Sequence, residues 1–76
     1  MKIIFSDHAK NQKFEREIAK KLILETIRSP QNRFKSFRNR ELLQRQFGDK
    51  ILEVVTVKEG ENLVVITQYW LEKEEV

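Results

Sequence analysis

Apolar positions recur at helical spacing in the first half of the chain. Between residues 17 and 28, two adjacent rows of apolar or small side chains are spaced four residues apart: Ile18, Leu22 and Thr26, and Ala19, Ile23 and Ile27. This spacing predicts one amphipathic helix from Glu17 to Arg28. Pro30 should end it, because a proline disfavours the helical conformation of the residue before it and has no N–H to donate.

The residues before this helix predict a strand that passes directly into helical structure. Lys2–Phe5 is a short β-prone run, and Ser6 and Asp7 are good helix N-cap residues. We therefore expect a helical segment to begin near His8.

After Pro30 the pattern changes to that of extended strands. Apolar and polar residues mix over 33–37 and 42–47, and β-branched residues dominate 50–58. Turn residues stand on either side of this run, at 48–49 and 59–62. The next run, 63–70, is nearly apolar on both faces, as in a central strand. Strict alternation along this last run would put Leu63, Val65, Thr67 and Tyr69 on one face, and Val64, Ile66, Gln68 and Trp70 on the other.

These elements predict an α+β fold. Consecutive strands joined by short turns pair antiparallel, so the N-terminal strand and helical segment should pack on one face of an antiparallel β-meander, and the other face should stay partly open. The 76 residues suffice for a single domain, residues 1–76. The apolar face of the helix should pack against Val54 or Val55 and alternate residues of 63–66. This face consists of Ile18, Leu22, Ile23 and Ile27.

Composition removes several classes of site. Without cysteine there is no disulfide, thiolate nucleophile or Cys-type metal site, and with His8 as the single histidine no multi-histidine metal site can form. The two glycines allow no glycine-rich phosphate loop. No apolar run approaches the length of a membrane span or of a signal-peptide core. We therefore expect a cytoplasmic protein that needs no metal, cofactor or membrane.

Charge is distributed unevenly along the chain. Residues 1–27 carry six Lys/Arg against four Asp/Glu, residues 28–50 carry seven against two, and residues 51–76 carry two against six. The central block consists of Arg28, Arg33, Lys35, Arg38, Arg40, Arg45 and Lys50. A block rich in arginine is typical of a surface that binds phosphate or carboxylate groups, and it is equally compatible with a solvated basic surface.

The remaining polar residues suit chemistry on a phosphodiester without a metal. RNA can be cleaved by deprotonating its 2′-hydroxyl, stabilising the phosphorane with cations and protonating the leaving oxygen. Candidates for these tasks are His8, Arg16, Arg45 and Tyr69, with Arg33, Lys35, Arg38 and Arg40 as phosphate contacts. If so, His8, Arg16 and Tyr69 should surround one concavity. Each also has a plain alternative, as a solvated side chain or a rim aromatic.

The motifs of the chain resemble a family of short uncharacterised domains allied to the RelE/ParE-like toxin superfamily. The similarity lies in Ser6-Asp7-His8-Ala9, in Arg16 with Ile18 two residues later, and in the closing Ile66-Thr67-Gln68-Tyr69-Trp70. Gln12 stands where this family often has a second arginine. Glu17 stands where it often has a glycine turn, which predicts a less interrupted helical segment here.

The resemblance implies a RelE-like fold and a toxin that an antitoxin protein covers. It also implies one of two activities: cleavage of messenger RNA on the ribosome, or inhibition of DNA gyrase. Two hypotheses therefore follow. The first is a metal-independent endoribonuclease of the RelE-like kind. The second is a non-catalytic module that binds nucleic acid or a protein, for which the central basic block would serve equally well.

Overall fold

The chain forms an α+β domain, in agreement with the sequence prediction. The computed structural model describes residues 2–15 and 17–72. Its elements are β1 (Lys2–Phe5), α1 (Asp7–Glu15), α2 (Lys20–Arg28), β2 (Asn32–Lys35), β3 (Arg40–Phe47), β4 (Lys50–Glu59) and β5 (Asn62–Glu72).

The five strands form one mostly antiparallel sheet in the order β1-β5-β4-β3-β2. Strands β2 to β5 form the predicted antiparallel meander. The prediction that the N-terminal strand packs on a face of the meander is wrong: β1 extends the same sheet and pairs in parallel with β5, with Phe5 opposite Val65. β5 is thus an interior strand with neighbours on both sides, which explains why its sequence is nearly apolar on both faces.

Ser6 connects the first strand to the first helix. Its backbone N–H donates to the carbonyl of Val65 (3.0 Å), which continues the β1–β5 pairing by one residue. Its Oγ then accepts a hydrogen bond from the N–H of Ala9 (3.0 Å) and donates one to the carbonyl of Ile66 (3.0 Å). Ser6 is therefore the predicted helix N-cap, and the same hydroxyl ties the start of α1 to β5.

The prediction of one helix from Glu17 to Arg28 is wrong at its N-terminal end. Glu17 adopts a positive φ of 52° and Ala19 is extended, so α2 begins at Lys20. Glu17 thus takes the left-handed conformation that favours glycine, and the predicted loss of the interruption does not occur. The extended segment brings Ile18 into the core, where it is buried.

The core lies between α2 and one face of the sheet. Ile23, Thr26 and Ile27 are the buried residues of α2. They pack with a cluster that also contains Ile18, Ala9, Leu43, Leu52, Val54 and Val65. Leu22 and Leu63 are partly buried against it, so the predicted helix–sheet contact is confirmed. Ala19 is exposed, contrary to the row spacing, because it precedes the helix.

A β-bulge in β5 changes which residues face the helices. Val55 pairs with Thr67 whereas Thr56 pairs with Val65, so Ile66 is an extra residue with no partner of its own in β4. Leu63, Val65 and Trp70 all contact the core cluster. Thr67 and Tyr69 point to the opposite face. Strict alternation had placed Val65 and Tyr69 on the same face, and that prediction is wrong because one extra residue inverts the alternation.

Replacing Ile23 with Ala tests the helix–sheet core. Ile23 is fully buried, so the substitution removes apolar contacts and leaves a cavity, and we expect it to lower the free energy of unfolding by about 2–5 kcal/mol. The matched control is Lys21→Ala on the exposed side of the same helix, which should change stability by less than about 0.5 kcal/mol. Urea unfolding followed by circular dichroism measures both. Equal effects of the two substitutions would contradict this assignment of the core.

Candidate nucleic-acid interface

The hairpin that joins β2 to β3 has a tight and strained turn. Arg38 and Asn39 both have φ of 60°, the signature of a type I′ turn. The N–H of Arg40 donates to the carbonyl of Phe37 (3.3 Å), and the N–H of Ser36 donates to the carbonyl of Arg40 (2.8 Å). Asparagine tolerates this conformation, but for arginine it costs about 1–2 kcal/mol. An arginine is thus held at a position where glycine would be more stable.

This hairpin collects the predicted phosphate-binding residues, but not on one face. Every residue of β2 is exposed. Arg33 and Lys35 share the sheet face of Glu41, and the Arg33 Nε lies 3.8 Å from Glu41 Oε1. Arg40 is half-buried and belongs to the opposite face. Arg38 is exposed at the turn itself. Arg33, Lys35 and Arg38 therefore form the accessible basic surface, and Arg40 projects from the other face of the hairpin.

A small cavity opens beside this turn. It has a volume of about 200 Å³ and is lined by Lys35, Ser36, Asn39, Arg40 and Glu41. Cavities that bind drug-sized ligands have volumes of about 300–1,000 Å³. This one is smaller, and its lining is polar, with two cations and one carboxylate. Its size and charge suit a single anionic group rather than a whole small molecule.

Two aromatic side chains of the hairpin are exposed to solvent. Phe37, next to Arg38 in the turn, is 75% exposed, and Phe34 in β2 is 48% exposed. Proteins that bind single-stranded nucleic acid combine aromatic side chains, on which bases stack, with cations that contact the backbone. The strand predicted over residues 33–37 contains both phenylalanines, and the sequence prediction gave them no binding role. The signal that was available is the alternation of aromatic and basic residues from Arg33 to Arg38.

Arg45, a predicted catalytic residue, makes structural contacts. Its Nη1 donates to the carbonyl of Ser29 (2.8 Å), the residue that caps the C-terminus of α2. Its guanidinium carbon also lies 5.8 Å from the centre of the Phe47 ring. A cation at a helix C-terminus is favourable because the helix dipole places partial negative charge there. Arg45 thus holds the end of α2 against β3.

Tyr69 lies on the sheet face away from the helices and belongs to a polar row across three strands. Glu53 in β4 is paired with Gln44 of β3 on one side and with Tyr69 of β5 on the other. The Tyr69 hydroxyl donates to Glu53 Oε1, and Gln44 Nε2 donates to Glu53 Oε2. Glu53 is only 7% exposed. Tyr69 therefore satisfies a buried carboxylate.

The structure does not bring His8 and Tyr69 together. His8 is exposed in the first turn of α1, which packs over β5. Gln68, the neighbour of Tyr69, donates from Nε2 to the carbonyl of Ala9 in α1 (2.8 Å). Tyr69 must then point to the other side of the sheet. The expected concavity shared by His8 and Tyr69 is not formed, and the bulge at Ile66 is the reason. Arg16, the third residue of that expectation, lies outside the described residues.

Two further observations concern the described residues alone. Within 2–15 and 17–72, no three His, Asp or Glu side chains are placed so that they could hold a metal ion. No helix in this part of the chain is long and apolar enough to cross a lipid bilayer.

Comparison with known proteins places the chain in a family. No curated protein matches it, and no solved structure does. The family described as Domain of unknown function (DUF4258) matches residues 5–70. The match begins at the last residue of β1 and ends at Trp70, so it includes the helices, the β2–β3 hairpin and the polar row of Glu53. The chain therefore belongs to the DUF4258 family.

Proposed function

We propose that this protein binds single-stranded RNA through the turn of its β2–β3 hairpin. The observation that carries the proposal is Phe37, an aromatic ring that is 75% exposed and stands between Lys35 and Arg38. An aromatic face accepts any base by stacking, and alanine substitution of such a residue costs about 1–3 kcal/mol per stacked base. Flanking cations contact the phosphates on either side of the stacked nucleotide.

The strained backbone of Arg38 is a second support. Strained residues persist where the surrounding structure holds them, and they cluster at functional sites. Glycine would relieve the strain at this position but would remove the guanidinium. An arginine here is explained if its charge contributes to binding. The small cavity beside the turn offers a place for one phosphate.

RNA is proposed as the ligand because of the resemblance to RelE-like toxins, some of which act on messenger RNA. The order of one strand, two helices and an antiparallel meander, with both helices on one face, agrees with the RelE-like fold which that resemblance implies. The contact chemistry is that of single-stranded nucleic acid in general. Comparison of RNA with DNA of the same sequence therefore belongs in the binding assay.

Phe37→Ala should weaken binding of a labelled single-stranded RNA by about 1–3 kcal/mol, because it removes the stacking surface. Fluorescence anisotropy measures the Kd. Phe37→Trp should retain affinity because it keeps an aromatic face, whereas Phe37→Leu, which is apolar without a π-system, should lose it. If Phe37→Ala binds as tightly as the wild type, the turn is not the binding site.

Arg38→Gly should change stability and affinity in opposite directions. Loss of the strained side chain should raise the free energy of unfolding by about 0.5–1 kcal/mol. Loss of the cation should weaken RNA binding and reduce the slope of log K against log salt concentration by about 1. The control is Arg28→Ala, which removes an exposed arginine from the last turn of α2 and should leave the slope unchanged. Equal slopes for Arg38→Gly and the wild type would exclude Arg38 as a phosphate contact.

Endoribonuclease activity is the second candidate, and the agreement of the element order with the RelE-like fold favours it. The separation of His8 from Tyr69 argues against a site that uses both. An adjacent gene for a small antitoxin-like protein would support a toxin, and a cleavage assay tests the activity directly.

The assay incubates ribosome-bound and naked RNA with the wild type, His8→Ala and Tyr69→Phe in the presence of a chelator. The binding proposal predicts intact RNA in every reaction. Cleavage that His8→Ala abolishes would establish the enzyme instead. The thermal stability of Tyr69→Phe must be measured in parallel, because this change removes a donor from the buried carboxylate of Glu53 and should cost about 1–3 kcal/mol.

A further inference from the structure

The sheet face away from the helices carries an apolar stripe beside one buried carboxylate. In the described chain no element covers this face. Its apolar side chains run from one edge strand to the other: Ile4, Val64, Val57, Val55, Leu42 and Phe34. Ile4 and Phe34, at the two edges, are among the large apolar side chains that remain exposed. An uncovered apolar face of this kind marks an interaction surface.

Glu53 gives this face a specific electrostatic requirement. Glu53 is 7% exposed, and its carboxylate accepts hydrogen bonds from two neutral groups, on Gln44 and Tyr69. Among residues 2–15 and 17–72, no cationic side chain forms an ion pair with it. A buried charge is costly unless it is paired, and each carboxylate oxygen can accept a second hydrogen bond. A partner of this face should therefore supply a cation above Glu53.

A second copy of the same face supplies that cation at the correct position. Leu42, Val55 and Thr67 form a central row across β3, β4 and β5. Glu53 lies two residues to one side of this row, and Arg40 lies two residues to the other, each about 7 Å away along its strand. A two-fold axis along the row would exchange the two sides. Arg40 of each copy would then face Glu53 of the other, offset by one strand spacing of about 4.8 Å within the sheet plane and separated by the roughly 10 Å between stacked sheets, a gap that the long arginine side chain can span.

The three long strands supply the area for such a pair. Strands β3, β4 and β5 have 8, 10 and 11 residues, whereas β1 lies wholly on one side of the row and stays outside the overlap. At about 3.4 Å per residue and 4.8 Å between strands, the three strands measure at most roughly 470 Å². Each partner in a standard-size interface contributes about 600–1,000 Å², so this dimer should be a weak one. Two sheets packed in this way remain within about 30° of alignment, as in β-sandwiches.

We propose that the protein forms a two-fold dimer through this face, with the sheets stacked and Arg40 of each copy paired with Glu53 of the other. The ion pair involves Arg40, which projects from the sheet face opposite to that of Arg33 and Lys35. The basic turn with Phe37 is not part of the stacked rows.

The dimer shares Arg40 with the small cavity beside the turn and Phe34 with the exposed aromatic pair of the hairpin. The stacking proposed for Phe37 and the phosphate contact proposed for Arg38 use neither residue, so the two proposals can fail separately.

Sedimentation equilibrium of the full chain, without nucleic acid, tests the dimer. The wild type should sediment as a dimer that dissociates on dilution. Arg40→Glu places like charges together, a cost of several kcal/mol, and should raise the dimer Kd about 100-fold or more. Lys58→Glu is the matched control, because Lys58 is exposed at the end of β4 on the helix side of the sheet and the charge change is the same. It should leave the Kd within about threefold of the wild-type value.

Val57→Lys provides a second variant that does not depend on the ion pair. It places a charge in the apolar part of the face and should give a monomer, while circular dichroism and thermal unfolding report whether the fold is retained. A wild type that stays monomeric at all concentrations would overturn the proposal. So would a dimer with equal Kd in Arg40→Glu and Lys58→Glu, or a dimer that a folded Val57→Lys variant preserves, because each would place the contact elsewhere.

Discussion

The arrangement of this protein depends on the single extra residue in β5 and on the hydroxyl of Ser6 that binds it. Ile66 has no partner in β4, and its carbonyl accepts a hydrogen bond from the Ser6 hydroxyl. Ser6 Oγ in turn accepts the hydrogen bond from the Ala9 N–H that caps α1. The bulge also determines which face of the sheet each later residue of β5 occupies. Gln68 can reach the carbonyl of Ala9, and Trp70 packs edge-on against Phe47 with ring centres 6.2 Å apart. Tyr69 is thereby directed to Glu53 on the other face.

The parts of the fold that the sequence predicted are those controlled by hydrophobic spacing and turn chemistry. The i,i+4 rows located Ile23 and Ile27, Ser6 marked the start of α1, and the apolar run of β5 indicated an interior strand. Spacing cannot reveal the helix break, because Glu17 carries a positive φ without the glycine that would indicate it. It cannot reveal the bulge either, because Val64, Val65 and Ile66 are equally apolar and suit both faces.

The same limits explain why the predicted site does not come together around Tyr69, and why the contacts of Arg45 were not foreseen. The prediction for Tyr69 rested on an alternation that the bulge inverts. The role predicted for Arg45 rested on residue type, whereas its partner is the carbonyl of Ser29, and a backbone acceptor leaves no trace in a sequence. Charge singled out the basic residues of the β2–β3 hairpin as a binding surface, which stays a prediction. Strand register places Lys35 on the accessible side of the hairpin and the half-buried Arg40 on the other side. A count of charges along the sequence gives no information about register.

The parallel pairing of β1 with β5 has a consequence for the order of folding. Lys2 lies opposite Asn62, so during synthesis the first strand has no partner in the sheet until β5 has been made. The capping bond from Ala9 to Ser6 is local, but the bond that ties the Ser6 hydroxyl to the sheet also forms late, because its acceptor carbonyl is 60 residues away. Contacts of such long sequence separation slow folding. On the ribosome, β2 to β4 can pair first, while β1 and α1 remain exposed until the last strand closes the sheet.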